Sequence, residues 1–64
     1  MERWVMEIKV NGQWIAVKAS HATEPYIYAT QAEAQHMLEM CYPDQCREDR
    51  LDSTHKRCRV RELP

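Results

Sequence analysis

Apolar positions alternate along the first part of the chain and later recur at helical spacing. Trp4, Met6, Ile8 and Val10 occupy every second position up to Asn11-Gly12, and Ile15, Val17 and Ala19 do so beyond it. Asn-Gly favours a two-residue type I′ turn, because both central residues need positive φ. The turn pairs Val10 with Gln13 and fixes the register. Ile8 then faces Ile15, Met6 faces Val17 and Trp4 faces Ala19 on an apolar side. Lys9 faces Trp14, Glu7 faces Ala16 and Val5 faces Lys18 on a mixed side. A half-buried antiparallel hairpin needs that division.

Residues 20–25 read as a loop, and Tyr26-Ile27-Tyr28 is a short β-prone run that can add a brief third strand. Thr30 and Glu33 form a capping-box pair, so a helix is expected from Gln31 to Cys41. Ala34, Met37, Leu38 and Cys41 make its core stripe. Pro43 stops it by restricting the residue before it. Pro43 to Thr54 is highly charged. Pro43-Asp44 can open a helical turn; otherwise this is a solvated loop with Leu51 as its one apolar anchor. From His55 to Leu63 alternation returns. Cys58 and Val60 share one face, and Arg57, Arg59 and Arg61 the other. The expected fold is a single α+β domain over residues 1–64, in the order β-β-(β)-α-β. A small antiparallel sheet carries one helix packed on one face.

The size of the chain limits what this fold can do. At 64 residues it holds a small core, and such domains are marginally stable without a staple or a partner. No run of apolar residues is long enough to span a bilayer. Met1-Glu2-Arg3-Trp4 lacks the pattern of a signal peptide, and three cysteines are an odd number for a disulfide framework. A reducing, cytoplasmic setting with free thiols is therefore expected. The single glycine excludes a Gly-rich phosphate loop.

Net charge is −1, but it is unevenly spread. Residues 1–41 and 42–52 each sum to −2, and residues 53–64 to +3. Arg57, Arg59 and Arg61 at alternate positions make either an anion-binding stripe or a solvated outer face that Glu7 and the charged loop partly neutralise. Asp44, Glu48 and Asp49, with Asp52, can capture a partner's arginines, although Arg47 and Arg50 compete locally. Trp14 lies opposite the helix-covered side. It is either an interface anchor or packs against the aliphatic stem of Lys9.

Cys41, Cys46, His55 and Cys58 are the only metal-like set. Their C-x4-C-x8-H-x2-C spacing departs from the usual zinc pairs, and Cys41 and Cys58 also fit apolar core positions. A Cys41–Cys46 disulfide is possible by spacing but disfavoured in a reducing compartment. No metal or cofactor is expected. No nucleophile signature is present, so catalysis is not expected either.

The hairpin, the run Tyr28-Ala29-Thr30-Gln31-Ala32-Glu33-Ala34, the run Cys41-Tyr42-Pro43-Asp44-Gln45, and Arg57-Cys58-Arg59-Val60-Arg61 together resemble short phage- and prophage-encoded accessory proteins. That group includes anti-CRISPR and other anti-defence inhibitors. The resemblance implies a compact, non-catalytic protein that occludes a functional surface of a larger host protein or ribonucleoprotein complex. Partner contacts are expected at Trp14, Lys9, Arg57, Arg59 and Arg61, with Asp44, Glu48 and Asp49 adding charge complementarity. A homodimer through an uncovered sheet face or an edge strand is a further expectation. The alternatives are a nucleic-acid-binding accessory domain using the arginine strand and a zinc-stabilised mini-domain.

Overall fold

A computed structural model describes residues 2–52 and 54–64. Met1, and Ser53 in the segment expected as a charged loop, lie outside them. Strand β1 spans Trp4–Val10 and β2 spans Gln13–Ala16. Asn11 and Gly12 between them both adopt positive φ, 51° and 81°, as a type I′ turn requires. The pairs Val10–Gln13, Lys9–Trp14, Ile8–Ile15 and Glu7–Ala16 match the expected register. One more bond, from Val17 N–H to the Met6 carbonyl at 2.9 Å, extends the ladder beyond β2.

Past Val17 the hairpin departs from expectation. Trp4 pairs with Tyr28 rather than with Ala19, through two backbone bonds of 2.8 Å each. The polar, Pro-containing stretch after Val17 leaves the ladder, and residues 26–28 return to fill the vacated place. They form an isolated bridge, not a third hairpin strand.

Helix α1 runs Gln31–Cys41. Thr30 Oγ1 accepts the Glu33 N–H at 3.1 Å. Among the described residues the Glu33 carboxylate does not return the bond, so only one arm of the capping box is made. Ala34 and Leu38 are buried and Met37 is half-buried, but Cys41 is exposed. Tyr42, before Pro43, has left helical geometry (φ −133°, ψ 59°).

The segment after Pro43 is a second helix rather than a loop. Helix α2 spans Pro43–Leu51 with proline in its first turn, where the missing N–H has no intrahelical partner to lose. Cys46 and Asp49, three residues apart, face inward. Leu51 falls on the other side of the helix and is 84% exposed, so it anchors nothing. Strand β3, Cys58–Glu62, is shorter than the run from His55 to Leu63.

The element order is therefore β-β-α-α-β, with an antiparallel sheet ordered β2-β1-β3. The fold is α+β, as expected, with two helices instead of one. The core lies between the helices and the strand pair β1–β3. Met6, Leu38, Cys46 and Cys58 form its centre, flanked by Ile8, Val17, Tyr28, Met37, Tyr42 and Val60. Complete burial of a side chain such as Leu38 or Met6 stabilises by about 1.5–3 kcal/mol. Both helices pack on β3 and α1 also packs on β1, but neither reaches β2. Ile15 and Val10 consequently stay exposed on the helix-facing side of the hairpin.

Candidate partner-binding face

Among the described residues no helix packs on the opposite side of the sheet, whose organisation begins with Glu7. The residue sits in the central strand, directly between Ala16 of β2 and Arg59 of β3. Its side chain is only 6% exposed. Glu7 Oε1 accepts the Nε–H of Arg59 at 2.7 Å, and Oε2 accepts the Nε–H of Arg61 at 2.9 Å. Burial alone would favour the neutral acid. The two hydrogen bonds and the two positive charges outweigh it and hold the carboxyl below its usual range.

This arrangement positions Trp14. The Arg59 guanidinium carbon lies 4.2 Å from the Trp14 ring centroid, and the Lys9 ammonium lies 5.5 Å away. Both cations lie over the indole, where the ring quadrupole attracts them. Trp14 is half-buried rather than bare. Val5, further along β1 on the same face, is fully buried. Exposure as an interface anchor, or packing against Lys9, is what the sequence allows for Trp14. The ring carries Lys9 and also Arg59, whose Nε–H Glu7 holds.

The guanidinium groups are spent only in part. Glu7 takes the Nε–H of each, and among the described residues no hydrogen bond uses their terminal nitrogens. Arg59 and Arg61 remain 42% and 45% exposed. A buried carboxylate thus orients two half-exposed arginines whose terminal nitrogens make no hydrogen bond among the described residues. Lys9, over the same indole, adds a further cation to this face.

Arg57 does not join them. It precedes β3, and its guanidinium lies 3.4 Å from Glu48 Oε2 and 3.8 Å from Asp49 Oδ1 of α2. The three alternating arginines therefore divide, two to the sheet face and one to α2.

The acids divide as well. Asp44 is exposed and contacts Arg47 at 3.4 Å. Glu48 is half-exposed beside Arg57. Asp49 is buried, contrary to a solvated acidic loop. Its carboxylate accepts the Arg57 N–H at 2.9 and 3.0 Å and the Cys58 N–H at 3.1 Å. Burial opposes its charge, and these backbone bonds, with the nearby thiol and Arg57, overcome that and lower its pKa. Asp49 thereby fastens α2 to the start of β3. No local pattern announces this role, because helix and strand meet only through the tertiary fold.

The candidate zinc ligands are scattered. Cys46 and Cys58 meet in the core, with sulfurs 3.4 Å apart, while Cys41 is exposed and His55 contacts Asp52 at 3.3 Å. Cys46 thus neighbours Cys58, not Cys41. Among the described residues no group of three His, Cys, Asp or Glu side chains is arranged to hold a metal ion. No helix among them is long and apolar enough to cross a membrane. Comparison of the chain with protein-family models, with curated proteins and with solved structures finds no match.

Proposed function

We propose that this protein is a non-catalytic binding module that docks its Trp14–Arg59–Arg61 face on an acidic surface of a larger protein or ribonucleoprotein complex and blocks it. One observation carries the reading. Glu7 orients both arginines through Nε and leaves their terminal nitrogens available. Terminal N–H pairs are the groups that grip carboxylates in bidentate fashion. Because the side chains are already ordered, less entropy is lost on docking. Arginine and tryptophan are also the residue types that dominate interface energetics. The resemblance to anti-defence accessory proteins makes a bacterial defence complex the first partner class to test. Three free thiols are in keeping with action in the cytoplasm.

The test compares capture of proteins from a bacterial lysate by the wild-type domain and by the Trp14→Ala, Arg59→Glu double variant, with circular dichroism confirming that both are folded. The expected result is an acidic protein retained by the wild type at about 0.15 M salt and lost with the variant. Equal retention by both would remove this face from the function. Retention abolished by nuclease would replace the protein partner with nucleic acid, and recovery of only this chain would make the face a homodimer contact.

A further inference from the structure

The core contains a pair of thiols that the docking face does not use. Cys46 of α2 and Cys58 of β3 are 12 positions apart in sequence, and their sulfurs lie 3.4 Å apart. Each residue is 6% exposed. A cleft of about 490 Å³ between α1, α2 and β3 is lined by both cysteines, with Gln35, Glu39 and Lys56 among its polar walls. Asp49 Oδ2 lies 3.3 Å from Cys58 Sγ. A disulfide requires the sulfurs to approach by about 1.4 Å more. The two elements already hold them in contact.

We propose that Cys46 and Cys58 form a redox modification site, closed into a reversible disulfide by a small-molecule disulfide of the glutathione type. A thiol of the pair first loses its proton and attacks the reagent S–S bond, giving a mixed disulfide and one reagent thiolate. The second cysteine sulfur then attacks the mixed disulfide. That step forms the Cys46–Cys58 bond and releases the second reagent thiolate. The two protein thiols lose two electrons and two protons in all. The reagent takes up both and leaves as two thiols.

Both sulfurs line the cleft and are equally buried, so either can open the exchange and the other resolves the mixed disulfide. Burial, with the contacts to Cys46 and Asp49, pushes the Cys58 thiol up and slows its ionisation. The new bond ties α2 to β3 and closes the segment 47–57. A domain this small gains much from such a staple. Chain-entropy arguments for a loop of this length lower the unfolding constant by roughly a hundredfold.

The experiment equilibrates folded Cys41→Ser protein, which lacks the exposed thiol, with mixtures of reduced and oxidised glutathione. Alkylation, intact mass and peptide mapping then report the products. The expected product has lost the mass of two hydrogens, maps to Cys46–Cys58, and unfolds at a higher urea concentration until dithiothreitol reverses it. Two alkylatable thiols persisting at every glutathione ratio would overturn the proposal. So would stable glutathione adducts with no internal bond, or an internal bond that leaves the urea midpoint unchanged. Because the readout is the wild-type pair itself, the result does not depend on whether Cys46→Ser or Cys58→Ser variants fold.

Discussion

Glu7 and Arg59 face each other directly across the β1–β3 ladder, and the Glu7 carboxylate accepts the Arg59 Nε–H at 2.7 Å. A charged acid in the central strand of a three-stranded sheet is costly unless it is fully paired. Here the pairing is two-sided, since Arg61 completes it from the diagonal position. Replacing Glu7 with Gln keeps the shape and removes the charge. The expected loss is about 1–3 kcal/mol, in the range of hydrogen bonds to charged groups. It is measured as a lower urea midpoint at unchanged m-value. The same variant should release Arg59 from the indole and change Trp14 fluorescence. An unaltered midpoint would show that Glu7 does not organise the face.

Acid should destabilise the fold through this carboxylate and through Asp49. Both ionise at lower pH in the folded chain than in the unfolded one. Their contribution is therefore fully present above the unfolded carboxylate pKa of about 4 and disappears as pH falls through the depressed folded values. Urea titrations from neutral pH into acid should show stability declining below about pH 5. Glu7→Gln and Asp49→Asn should each flatten that decline. A wild-type acid limb unaltered in both variants would contradict the assignment.

Asp49→Ala should uncouple α2 from β3. The Arg57 and Cys58 N–H groups would lose their acceptor, at about 1–3 kcal/mol for an unsatisfied buried donor. Amide hydrogen exchange provides the local readout. Protection at Cys58 should drop sharply, while amides bonded between β1 and β2 keep theirs relative to global stability.

At the hairpin turn, Gly12→Ala introduces a Cβ with nothing within 4 Å to meet, so any penalty comes from the backbone alone. Holding alanine at φ +81° should cost about 1–2 kcal/mol. Thermal or urea unfolding measures it. A neutral effect would mean that the turn relaxes out of type I′ geometry.

The elements held together by local chemistry were legible from the residues themselves. Asn11-Gly12 sets the turn, alternation sets the register as far as Ala16, and Thr30 with Pro43 bounds α1. Each is decided within a few bonds of the backbone. Periodicity was a weaker guide in the charged segment, where the helix α2 turns Cys46 and Asp49 inward and Leu51 outward. Three kinds of contact were settled only by the tertiary structure. Tyr28 displaces Ala19 beside Trp4, Asp49 caps the start of β3, and Cys46 meets Cys58. Alternation likewise placed Arg57, Arg59 and Arg61 together, but α2 claims Arg57 and Glu7 claims the other two. The reason is physical. Spacing fixes which face a side chain occupies, whereas the partner of a charge or a thiol depends on how elements distant in sequence pack. In a chain of 64 residues that packing turns a stripe of arginines into an ordered, partly unspent cationic face.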